Sequence, residues 1–167
     1  TISNNIANRA GGGIEIANGL LLTVDMMLTG NVAGPSGAAN PGSGGGLHIT
    51  DTTQTRATIK GGTISGNTAE LEGGGLWHPG GSVLVIVGGT TISETNASGD
   101  ANDDGGGGIF NNGGRVAITD ASLWGNMANG IDGSGGGILS LNGAVTLDNS
   151  TVSGNTANGD GGGIVSH

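Results

Sequence analysis

The side chains with the most chemistry to offer are carboxylates, and seven of the thirteen fall in one recurring place, the polar stretch ahead of a run of glycines. They are Glu70 and Glu72, then Asp100, Asp103 and Asp104, then Asp132, then Asp160. Like charges gathered along one edge repel, and a bound cation relieves them. Asp100-Ala-Asn102-Asp-Asp104-Gly105 reproduces the opening D-x-N-x-D-G of a calcium loop, although Asn111 stands where such a loop ends in Glu. Asp100, Asn102 and Asp104 are therefore the candidate metal ligands, with Ca²⁺ the one cofactor they suggest.

The rest of the reactive inventory is thin. His48, His78 and His167 occupy different places in the repeat and have no evident acid partner. Sugar-cleaving chemistry needs paired carboxylates, or a metal with a base, on one strand face; here the acids sit in loops and the arginines are scattered. Trp77 and His78 offer a surface against which a sugar could lie. The pairs Thr63/Ser65, Thr91/Ser93 and Thr151/Ser153, preceded by Thr1/Ser3, form a T-x-S rank of strand hydroxyls. That is a candidate binding surface of the kind ice-binding β-solenoids present, interrupted by Met27 and Trp124. The glycine runs lack the Lys-Ser/Thr and the following helix that a phosphate loop requires.

These residues are placed by a repeat. Copies of one skeleton open at Thr1, Met27, Thr63, Thr91, Ser122 and Thr151, each a short strand, a corner and a small residue. After a polar loop comes a glycine run and an apolar residue, at Ile14, Leu47, Leu76, Ile109, Ile138 and Ile164. Those last positions are 33, 29, 33, 29 and 26 residues apart. A period of that size signals a solenoid. The predicted fold is all-β: a right-handed parallel β-helix, a single-stranded solenoid of about six partial coils over residues 1–167.

Ile2, Leu28, Ile64, Ile92, Leu123 and Val152 supply one inward file, and Ala7, Ala33, Ala69, Ala97, Ala128 and Ala157 another where a corner has room for a methyl. Asn5, Asn31, Asn67, Asn126 and Asn155 recur at that corner, with Thr95 in the fourth copy. Asn accepts the left-handed conformation a corner needs, and stacked amides bond from one coil to the next as a ladder. Leu20, Leu22 and Val24 alternate as a half-buried strand should. The longest loop, with Pro35 and Pro41, is expected to bulge from the surface. Glycine, 40 of the 167 residues, suits tight bends and close backbone approach.

Charge and composition narrow the partners. A net charge of −9 with only four Lys and Arg argues against nucleic acid and against an anionic membrane. No apolar run is long enough to span a bilayer, and the absence of Cys removes disulfides and thiolate sites. The chain reads as one section of a longer protein or assembly.

The paired features resemble the F-x-x-N and GGAI repeats of the polymorphic outer membrane protein family. Ile2/Asn5, Leu28/Asn31, Ile64/Asn67, Leu123/Asn126 and Val152/Asn155 take the first motif with an aliphatic for Phe; Gly replaces Ala in the second. The likeness extends to other glycine-rich β-helix repeats of bacterial surface proteins. It implies an extracellular, cell-surface adhesive or structural rod that is not an enzyme, with flanking coils or other copies stacked end to end and surface carbohydrate as a ligand. The competing expectation is a carbohydrate-active β-helix enzyme, similar to pectate lyases, whose catalytic coils lie elsewhere.

Overall fold

A computed structural model describes residues 1–35, 42–50, 55–101 and 103–167. Asn102, Pro41 and the middle of the longest loop lie outside the described residues. The chain is a parallel β-solenoid of about five turns, with no helix among the described residues and hence none long and apolar enough to cross a membrane.

Its strands stack in four ranks. The first holds Ile2–Ser3, Met27–Thr29, Thr63–Ser65, Thr91–Ser93, Ser122–Trp124 and Thr151–Ser153. The second holds six two-residue strands ending at the recurring Ala. The third begins at the residue after each glycine run, from Ile14–Ile16 to Ile164–Ser166. The fourth holds five strands, Leu20–Val24, Arg56–Lys60, Val83–Val87, Arg115–Thr119 and Ala144–Asp148. Every pairing is parallel and joins equivalent residues, such as Ile64↔Ile92↔Leu123.

Strands of two to five residues cannot hold a sheet within one coil, so each pairs with its equivalents about 4.8 Å above and below. Equivalent side chains then form vertical files. Leu28, Ile64, Ile92 and Leu123 are fully buried, as are Leu47, Leu76, Ile109 and Ile138 and the alanines at 33, 69, 97 and 128. Each large aliphatic contributes roughly 1.5–3 kcal/mol on burial.

The glycine run divides its work by position. Gly106 opens its bend at a φ of 62°, a left-handed conformation in which side chains are strained. Gly107 lies against the next coil, where an added Cβ would sit 2.3 Å from the Met127 carbonyl oxygen and 2.5 Å from that of Gly136. The bends pair with one another as strands do: the N–H groups of Gly106 and Gly107 donate to Ser134 and Gly135 (2.9 and 3.2 Å).

Two expectations are corrected. Leu20, Leu22 and Val24 face outward, 82%, 68% and 58% exposed, while Leu21 and Thr23 turn inward over Ala57 and Ile59. Backbone bonds pin that strand at both ends, Arg56 N–H to Gly19 O (3.1 Å) and Asp25 N–H to Lys60 O (2.8 Å). A slip of one residue would reverse every side chain and break both. The left-handed corner residue is also not the recurring Asn but the one before it: Asn4, Gly30, Gly66, Glu94, Gly125 and Gly154, with φ between 55° and 65°.

Replacing Gly107 by Ala should destabilise the chain by about 3 kcal/mol, because the clash is with backbone that cannot yield. Ile92→Ala should cost about 2–5 kcal/mol by leaving a cavity, and Thr58→Ala on the outer face about 0.5 kcal/mol or less. Urea denaturation of the three variants checks the ranking; a Gly107→Ala protein as stable as the parent contradicts the stacking geometry.

Candidate functional site

The corner after the first rank carries an asparagine file. The backbone N–H and Nδ2 of Asn5 both donate to Asn31 Oδ1 (3.0 and 2.9 Å). Asn31 donates in the same way to Asn67 (2.9 Å each), and Asn126 to Asn155 (2.9 Å each). The other amide hydrogen returns to the strand one coil back, Asn67 to Leu28 O (2.8 Å) and Asn126 to Ile92 O (3.0 Å). In the fourth coil the Thr95 N–H donates to Asn126 Oδ1 (3.2 Å), and its hydroxyl lies between that oxygen (2.8 Å) and Gly107 O (2.5 Å). Asn31, Asn67 and Asn126 are fully buried, so none presents an amide to a ligand.

A second polar file fills the corner between the third and fourth ranks, where Ile49, His78, Asn111 and Ser140 occupy equivalent inward positions. The Gly114 N–H donates to Asn111 Oδ1 (3.0 Å), which orients the amide, so His78 Nδ1 must donate to the same oxygen (2.9 Å). His78 Nε2 is then an acceptor facing the Ser82 hydroxyl at 2.9 Å. Hydroxyl, imidazole and amide thus stand in the order that activates a serine nucleophile. Ser82 is 3% exposed, His78 and Asn111 are fully buried, and the Ser82 hydroxyl also lies 2.8 Å from Pro79 O. Asn111 spends its Nδ2 on Gly114 O (3.1 Å) and Ser140 (3.0 Å). Every member closes the corner, and burial holds the His78 pKa below its usual value.

On the outer side of the third rank, the glycine bend folds back over the strand it introduces. His48, Trp77 and Phe110 stack there, with centroids 4.5 and 6.2 Å apart and planes within 13°. Trp77 Nε1 donates to Glu72 Oε2 (2.8 Å), and Ser43 reaches the same oxygen at 3.5 Å. Burial raises the Glu72 pKa to about 7; the bonds from Trp77 and Ser43 oppose the rise, and Asp104 and Asp103 add to it. His48 is depressed to about 4, by burial and then by Arg9. A hydroxyl relay links it outward: His48 Nδ1 lies 3.2 Å from Thr50, whose hydroxyl donates to Glu15 (2.8 Å), itself paired with Arg9. Trp77 and His78 therefore do not line one surface: the first points outward under the bend, the second inward.

Of the candidate calcium ligands, Asp100 accepts from the Ile131 N–H (2.9 Å) and Asp104 from the Ala101 N–H (3.1 Å), while Asn102 lies outside the described residues. Among the described residues no three His, Cys, Asp or Glu side chains converge as a metal group. The acidic loops do share one edge, where a cleft of about 530 Å³ is lined by Ala101, Asp132, Ser134, Gly159 and Asp160. In the hydroxyl rank, Thr63, Ser65 and Thr91 are half-buried and Thr151 and Ser153 exposed, but Ser93 is buried beside Trp124. The flat array is broken there.

The chain matches no family model, no curated protein and no solved structure at a significant level.

Two measurements follow from these sites. Asn126→Ala leaves the buried Thr95 N–H without its acceptor, although the hydroxyl keeps Gly107 O, and should cost about 1–3 kcal/mol; Asn5→Ala, at an exposed position, should cost less. Equal losses would remove the ladder's energetic role. For pH, a raised Glu72 makes the folded chain hold a proton that the unfolded chain releases between pH 4.5 and about 7. Its contribution is full below that window and lost as pH rises through it. His48 has the opposite sign, with stability lost as pH falls from 6.5 towards 4. Glu72→Gln should therefore be more stable than the parent at pH 8, by on the order of 1–2 kcal/mol after allowing for partial exposure. The gap should close by about pH 4, below the unfolded value of 4.5, and a difference independent of pH would show that Glu72 titrates normally.

Proposed function

We propose that this chain is a section of a non-enzymatic extracellular rod, a rigid spacer or adhesive stalk at a bacterial cell surface. The observation that supports this reading is where the buried polar groups go. The Asn31–Asn67 and Asn126–Asn155 ladder and the His78–Asn111–Ser140 file are consumed in bonding coil to coil and corner to corner. The groups most like a catalytic relay, Ser82 and His78, have almost no exposed surface. Such an interior resists bending because each layer is bonded to the next, which is what a stalk requires.

Antibody labelling of intact source cells, combined with incubation of the purified chain with acidic polysaccharides, tests the reading. The expected result is surface labelling with no release of sugar fragments. Fragment release by the parent chain that Ser82→Ala abolishes would replace the stalk with a hydrolase.

A further inference from the structure

We infer that the outward face of the fourth rank docks a second copy of this chain, side against side, by receiving that copy's acidic loop edge. The proposal concerns the sides of the rod and goes beyond stacking at its ends.

The face gathers charge that the sequence scatters. Three of the four cations, Arg56, Lys60 and Arg115, are exposed on it, and among the described residues none of the three forms an ion pair. The fourth, Arg9, is spent on Glu15. Arg56 and Lys60 lie four residues apart on one strand, about 13 Å, and Arg115 lies two coils from Arg56, about 10 Å. Between them runs an apolar surface of half-buried Val83, Val85, Val87 and Ala117. It continues into Leu20, Leu22 and Val24, the most exposed aliphatic stripe of the first coil. On a chain of net charge −9 this is a cationic, apolar island, with one exposed carboxylate, Asp148, at its last coil.

The same molecule carries the complement. The cleft on the loop edge is walled by Asp132 and Asp160, and Ile131 stands beside it, 73% exposed. Ser134 lies between Asp104 of the coil before and Asp160 of the coil after, its N–H on Asp104 O (2.9 Å), with the Gly135 N–H on Asp160 O (2.9 Å). Asp104 and Asp160 are therefore two coil steps apart, the spacing of Arg56 and Arg115. Two rods aligned along their axes meet in matching steps, guanidinium against carboxylate and valine against Ile131.

Centred on the middle strand, a two-fold contact of face with like face brings Arg56 against Arg115 or Lys60. Displaced by half a coil it sets Lys60 against Asp148 but leaves Arg56 and Arg115 unpaired, so the loop edge is the fuller complement. The contact is heterologous, so it leaves a free face and a free edge on each pair and extends into a lateral array. At an ionic strength of about 0.15 M, where the Debye length is about 8 Å, local charges govern the contact and the net charge of each rod is largely screened.

Sedimentation velocity over a concentration series at that ionic strength tests the proposal with two exposed double variants. One is Arg56→Asp with Arg115→Asp, and the other Asp103→Lys, beside Asp104, with Asp160→Lys, the same two coil steps apart. The parent should associate with rising concentration, and each variant alone should lose at least tenfold in association constant while keeping the parent's melting temperature. An equimolar mixture of the two should associate again, because each then offers the charge the other lacks. A parent that stays monomeric throughout, variants that associate unchanged, or a mixture without rescue would each overturn the inference. Polyglutamate that binds the Arg56–Arg115 face of a monomeric parent would overturn the choice of occupant.

Discussion

The whole molecule depends on one constraint: each coil must lie directly on the last, at the spacing of a backbone hydrogen bond. Among the described residues no coil has a core of its own, and strands of two to five residues have no partners within a coil. Anything that holds two layers further apart breaks pairing in all four ranks at once. The second glycine of each run shows the tolerance. At Gly12, Gly45, Gly74, Gly107 and Gly136 a Cβ would stand 2.1–2.4 Å or 2.5 Å from a carbonyl oxygen of the neighbouring coil. The glycine content is thus a requirement of vertical spacing, and the left-handed residues opening the bends are a separate requirement of direction.

Vertical stacking also explains how so polar a chain has an interior. A buried amide is costly unless its donors and acceptor are used. A repeat solves that by placing the same group one step away, so that Asn31 satisfies Asn5 and is satisfied by Asn67. At the other corner unlike groups do the same work, His78 on Asn111 and Asn111 on Ser140. The second arrangement has the chemistry of a nucleophile relay and the burial of a structural brace: Ser82 borders a cleft of about 550 Å³ with Gly114, Arg115 and Gly143, yet it is 3% exposed and its hydroxyl reaches Pro79 O at 2.8 Å.

The repeat, the inward files and the asparagine corner are legible in the sequence because one residue type, or one class, returns at a fixed place. What could not be read lacks that repetition. His78, Asn111 and Ser140 are three different residues, so no pattern announces a file, and only the register makes them neighbours. The facing of Leu20-Leu21-Leu22 is ambiguous because an unbroken apolar run has no parity; the partners Ala57 and Ile59 set it, even though Thr23 then turns inward with a hydroxyl that finds no acceptor. The Glu72–Trp77 contact did leave a signal. An acid five residues ahead of an aromatic across a glycine run is brought back over it once that run is known to be a reversing bend.

Inward positions are held by the layer above and the layer below, so little there is free to vary. Outward positions meet only their file neighbours and solvent, and the chain uses them unevenly. Seven of the thirteen carboxylates collect on the loop edge, hydroxyls on the first rank, and three of the four cations with valines on the fourth, which also carries the exposed Asp148. Stacking imposes no such sorting, since an exposed Asp would fit the coil as well as Arg56 or Arg115 does. Like charges two coils apart on one face repel and are without ion-pair partners among the described residues. The fold gains nothing from concentrating them there, and that unmet repulsion is what the proposed side-by-side contact would relieve.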